Sequence, residues 1–261
     1  MKTLYLECNM GAAGDMLMAA LLELYPQPEQ FLETMNSLGI PEVNITRHPA
    51  EKCGIQGTNI VVKVNGNEEE SIDVANSDEH KHVHHHGHTQ ENEQVQKHEH
   101  IQEHNHSHSH SSMTDIISLI ESLLLPQRVK NHAIAVYKLI AQAESHAHGK
   151  PAAAVHFHEV GAMDAVADIV GVCLLMELLS PEQIIVSPIH VGSGQVKTAH
   201  GVLPVPAPAT AYILRQVPIY STGIQGELCT PTGAALLKHF ATKFAPMPPM
   251  EVKAIGYGMG K

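Results

Sequence analysis

The sequence predicts a mixed α/β fold, and three observations carry that prediction. Short β-like runs alternate with apolar helical repeats along nearly the whole chain. At 43% apolar residues over 261, there is enough material to bury a core. The alternation also stops abruptly once, at a stretch where apolar residues almost vanish. That break divides the chain into residues 1–65, an insert over 66–112, and residues 113–261.

The elements follow in order. "TLYLEC" reads as a strand, and "GDMLMAALLELY" places Leu17, Leu21 and Leu24 on one helical face. "PEQFLETMNSLG" is a second helix closed by Gly39. "EVNITRH" and "TNIVVKV" read as strands, joined through the turn residues of "EKCGIQG". Past the insert, "TDIISLIESLLL" is a helix with Thr114 as the expected N-cap, and "PQRVKNHAIAVYKLIAQAESHAHG" is a long amphipathic helix opened by Pro126 and closed by Gly149.

"AAVHFHEVGAMD" then reads as a strand entering a turn that Gly161 permits, followed by the helix "DAVADIVGVCLLMELL". "QIIVSPIHVGSG" reads as one strand leading to a glycine loop. "PVPAPATAYILRQ" and "TPTGAALLKHFATKF" each set proline before an apolar helical run. "MEVKAIGYGMGK" reads as a strand that stops in glycines, an ending that looks cut off.

The insert is the loudest feature. Between His80 and His110 it holds twelve of the chain's 21 histidines, and Gly66–Ser112 carries ten acids against two lysines. Such a composition buries too little to offset its ordering entropy, so disorder is expected. Its dense imidazoles suit storage or hand-over of a nickel-like ion. They do not suit catalysis, which needs fixed geometry.

Outside the insert, 17 acids face 14 bases, so no basic face exists for a nucleic acid. The N-terminus lacks the pattern of a secretion signal, and no apolar run is long enough for a membrane span. Cys8, Cys53, Cys173 and Cys229 form no CxxC pair, and a reducing cytoplasm is the expected location. Cys173 reads as core, while Cys8, Cys53 and Cys229 stay open as thiolates or nucleophiles. No G-x-S-x-G elbow supports a serine hydrolase.

The sharpest constellation is "VHFHEVGAMDAVAD". Residues two apart on a strand share a face, so His156 and His158 project together; Asp164 and Asp168, four apart on a helix, do likewise. Two imidazoles and two carboxylates make a donor set for a divalent transition metal. The plainer alternative has Asp164 capping the helix, Asp168 solvated and the histidines as ordinary polar groups. Three loops look built for anions: "GAAGD" with Gly11, Gly14 and Asp15, "VGSGQVKTAHG" with Gly192, Gly194 and Lys197, and "LCTPTGAAL" with Thr230 and Thr232.

Taken together, "GAAGDM", "HFHEVGAMDAVADIVG", "GSGQVKTAHGVLPVPAPAT" and "GELCTPTGAALL" resemble the LarC family of nickel-insertion proteins. The resemblance implies insertion of Ni(II) into pyridinium-3,5-bisthiocarboxylic acid mononucleotide, giving the nickel-pincer nucleotide that activates the lactate racemase apoprotein. It implies hydrolysis of CTP with Mg or Mn, and a C-terminal domain supplied by a longer or separate polypeptide. The ring carbon must lose a proton as it binds nickel; His158, Glu159 and His200 are the candidate bases, chosen by residue type. Two further readings are a nickel storage protein or metallochaperone, and a metal-dependent hydrolase built on the same cluster.

Overall fold

Parallel pairing joins Thr3–Leu6 to Gln183–Val186, with Leu6 opposite Val186, and Lys243–Phe244 adds a third parallel strand on the far side of Gln183–Val186. Parallel neighbours need crossovers, and helices supply them. The computed structural model describes residues 1–68, 72–73, 111–151, 156–157, 161–198 and 201–260. Within these, the helices are α1 (Gly14–Leu24), α2 (Pro28–Ser37), α3 (Met113–Ser122), α4 (Gln127–His148), α5 (Met163–Leu179), α6 (Pro208–Ile213) and α7 (Pro231–Phe240).

Helix α5 is the hub. Twelve of its 17 residues are buried, which follows from a sequence apolar on every side. It packs against α1, α4, α7 and the strand Ile55–Val64. Gly171 lets α1 come close, since a Cβ there would lie 2.4 Å from Met18 Sδ. The mixed α/β expectation therefore holds, with both element types sharing one core.

Several local expectations change. The segment expected as the turn "EKCGIQG" is mostly strand: Val43–Lys52 and Ile55–Val64 pair over ten residues each, and only Cys53 and Gly54, at φ 53° and 77°, make the turn. Two successive positive φ values are what a tight two-residue hairpin requires. The cap of α3 is Ser112, not Thr114: its hydroxyl accepts from the Asp115 amide while the Asp115 carboxylate accepts from the Ser112 amide.

"QIIVSPIHVGSG" is not one strand. It divides at Ser187–Pro188 into Gln183–Val186, Ile189–His190 and Gly192–Ser193, each paired in a different sheet. The C-terminal "strand" is an extended segment held by single contacts. Thr58 N–H donates to Tyr257 O, Met259 N–H donates to Thr58 O, and Tyr257 N–H donates to a Glu23 carboxylate oxygen.

Met1–Val74 and His110–Lys261 form one compact unit. Ala75–Ser109 is a second stretch, and it lies outside the described residues. Most of the insert expected over 66–112 therefore lies outside the described residues, while its described ends depart from the expectation: Asn67–Glu68 pairs with Lys63–Val64, Ile72–Asp73 with Val196–Lys197 and Ser111–Ser112 with His156–Phe157. Among the described residues, no helix is long and apolar enough to cross a membrane.

Candidate functional site

Open α/β folds place their sites beyond the carboxyl ends of parallel strands. Beyond Leu6 and Val186 the chain is tightly cross-linked by its own backbone. Ser187 N–H donates to Leu6 O (3.0 Å), and His190 and Gly11 N–H groups both donate to Cys8 O (3.1 Å each). Ala12 N–H donates to Leu228 O (2.9 Å) and Thr230 N–H donates to Ala12 O (3.0 Å).

This threading explains the glycines. Gly11 sits at φ +79° and a Cβ there would lie 1.8 Å from Leu228 O; at Gly233 it would lie 2.1 Å from Ala12 O. Gly192 is equally close to Gly226 O, at 2.0 Å. The loops expected to bind anions at Gly11, Gly192 and Thr230 are thus brought together, but the Gly11, Ala12 and Thr230 amides donate to carbonyls of the protein and the Gly192 amide donates to His190 Nδ1 at 3.1 Å. The Thr230 hydroxyl caps α7 by accepting from Gly233 N–H (3.1 Å), and Thr232 is buried. Asp15 closes on the Met16 amide at 2.8 Å.

Gly194 and Lys197 stand apart from that joint. Gly194 abuts the Gln225 side chain. Lys197 is exposed on Gln195–Thr198, a strand paired with Gly201–Pro204 on one side and Ile72–Asp73 on the other.

The acidic start of α5 is organised differently. Asp164 is not the N-cap, a position held by Ala162; its Oδ1 instead accepts from the Ala165 amide at 2.7 Å, inside the first turn. Asp168, one turn on, is half-buried against the start of α1, where a Cβ on Gly14 would lie 2.6 Å from its Oδ2. Asp168 is therefore not the solvated carboxylate of the plainer reading. Tyr137 of α4 is fully buried nearby; burial first, then Asp164 and Asp168, push its phenol well above the ordinary range. The carboxylates of α5 and the phenol of α4 converge beside the start of α1, with Phe157 packed on Tyr137.

The strand His156–Phe157 pairs antiparallel with Ser111–Ser112, placing Ser112 opposite His156. His158, Glu159 and His200 lie outside the described residues, as does the His156 side chain. Gly161 serves close packing, since a Cβ there would lie 2.6 Å from Phe157 Cβ. Among the described residues, no three His, Cys, Asp or Glu side chains cluster so as to hold a metal ion.

Sequence reasoning missed Tyr137, which lies mid-helix with no motif around it; only its position three turns before the helix end, facing α5, could have marked it. The open thiols are also resolved in part. Burial pushes Cys8 up to about 12, against a lowering hydrogen bond from Ser187, and burial raises Cys229 too. Neutral buried thiols are neither nucleophiles nor ready ligands. Cys53 is exposed in the hairpin turn, and Cys173 is core as expected.

A family model described as nickel insertion protein matches residues 4–261. A protein of Staphylococcus saprophyticus named pyridinium-3,5-bisthiocarboxylic acid mononucleotide nickel insertion protein is 35% identical over 257 residues, covering 98% of this chain and 56% of its own length. Relatives of the same name from Desulfitobacterium hafniense (strain DSM 10664 / DCB-2) and Clostridium kluyveri are 36% and 37% identical, each covering 100% of this chain and 55% and 58% of themselves. The chain thus spans a little over half the length of these relatives. No solved structure matches it.

Proposed function

This chain belongs to the nickel insertion protein family, and on that premise we propose that it takes part in inserting Ni(II) into pyridinium-3,5-bisthiocarboxylic acid mononucleotide. The match along residues 4–261, together with relatives named for that reaction, is the observation that carries the reading. Nickel is a substrate here. Two nickel–sulfur bonds and one nickel–carbon bond form, and the ring carbon gives its proton to a base.

In this reading His156, His158, Asp164 and Asp168 present nickel, with hard carboxylate and borderline imidazole donors matched to a divalent first-row ion. The half-buried position of Asp168 and the apolar packing under Tyr137 support it, because they fix the carboxylates before the ion arrives. His158, Glu159 or His200 accepts the ring proton. Lys197, exposed beside Gly194, takes the mononucleotide phosphate.

CTP does not fit the described loops. A triphosphate asks for converging amides or cations, whereas the Gly11 and Ala12 amides and the Thr230 hydroxyl oxygen are engaged within the protein. We assign CTP hydrolysis, with Mg or Mn, to a segment outside this chain, and activation of the lactate racemase apoprotein to the released cofactor.

The storage reading draws on the twelve histidines of His80–His110. Deleting that stretch separates the two: cofactor maturation that survives at ample nickel sinks storage as the core function, and its complete loss there sinks insertion by the folded part.

A further inference from the structure

Away from the α5 start, two imidazoles meet where α4 and α7 pack. His132 Nδ1 and His239 Nε2 stand 2.8 Å apart, with ring centroids 5.1 Å apart and planes at 69°. Phe240 packs on both rings, at 5.2 Å from His132 and 4.7 Å from His239, and forms an apolar wall. Both histidines are half-buried, so the pair is reachable from solvent.

A hydrogen bond between two imidazoles needs at least one neutral ring, because only a nitrogen lone pair can accept. The nearby charges leave the rings uncommitted. Arg128 pairs with Glu177 at 3.3 Å, and Lys238 donates to the carbonyls of Ile213 and Arg215 at 2.5 and 3.1 Å.

We propose that His132 and His239 form a two-imidazole site for a nickel-type divalent ion, bridging α4 and α7, with water completing the coordination. Two imidazole nitrogens bound at about 2.1 Å on adjacent corners of one ion stand about 3 Å apart, close to the spacing found here. As the ion enters, the bridging proton passes through water to the other nitrogen of the ring that carried it, so both rings stay neutral, and a small rotation of each ring turns both lone pairs onto the ion. Glu177 lies at the far end of α5 from Asp168, nine residues and roughly 14 Å of helix away. The site is therefore separate from the α5 start and does not depend on insertion there.

Residue-resolved carbethoxylation of the full chain, with Ni(II) alone as the probe, tests this. An imidazole holding a metal on one nitrogen keeps its proton on the other and has no lone pair to react. With free nickel about tenfold above its dissociation constant, His132 and His239 should be modified roughly tenfold more slowly, while exposed His48 keeps its rate. In His239→Ala, and in the milder His239→Asn, nickel should no longer protect His132. Unchanged rates at both residues in the wild-type chain overturn the proposal, as does protection of His132 that persists in both variants. A chain that fails to insert nickel can still pass, so the two readings fail separately.

Discussion

The glycine-threaded joint of Gly11, Leu228 and Gly233 lies beside the acidic start of α5, yet the two use their polar groups in opposite ways. In the joint, amides and carbonyls close on one another, and the glycines are there because a Cβ would strike backbone. At the α5 start, carboxylates from one helix are pressed against a second helix and a buried phenol from a third. Motifs rich in glycine at a helix start look like anion sites, but close backbone approach alone already requires Gly11 and Gly233 here. In the proposed function the chemistry rests on the less conspicuous acids.

The comparison breaks most readily at Gly11. Gly11→Ala combines a left-handed backbone with a collision on Leu228 O, and should destabilise by roughly 3–5 kcal/mol, lowering the melting temperature by about 10 °C or more. An unchanged melting curve means that the loop is open and available to a ligand. Asp168→Asn should do the reverse: the melting temperature stays within a few degrees, while nickel insertion falls about 100-fold, a loss read from the yield of nickel-bound mononucleotide.

Smaller effects sharpen the contrast. Thr230→Ala removes the α7 cap and should cost about 1 kcal/mol in denaturant melts with no change in nucleotide affinity. Alkylation at pH 8 should label Cys53 and spare Cys8 and Cys229 in the native chain, with label on either buried thiol refuting their neutral assignment. Because the folded state holds the Cys8 proton up to about 12, it retains a proton that the unfolded chain releases near pH 9. That contribution to stability is complete below pH 9 and declines as pH rises toward 12, which an alkaline melting series will register.

Much of the scaffold was legible because its signals are local. The spacing of Leu17, Leu21 and Leu24 gave α1, and Pro126 and Gly149 bounded α4 within a residue. The hairpin was placed but its turn was not, because the polar residues Glu51, Lys52 and Gln56 resemble a loop while lying in exposed strand. The break at Ser187–Pro188 was missed because the flanking residues all favour strand. At the site, the four-residue spacing of Asp164 and Asp168 was readable. The contact of Asp168 with Gly14 and the burial of Tyr137 were not, since both depend on helices distant in sequence.

The central claim is that the start of α5 presents nickel. It is tested most directly by the yield of nickel-inserted mononucleotide from an Asp164→Ala, Asp168→Asn double variant with a native melting curve. The comparison is made under conditions where the wild-type chain, alone or supplemented with the part of a relative that this chain does not span, turns over. The account predicts that insertion falls below about 1% of wild type; a yield equal to wild type contradicts it.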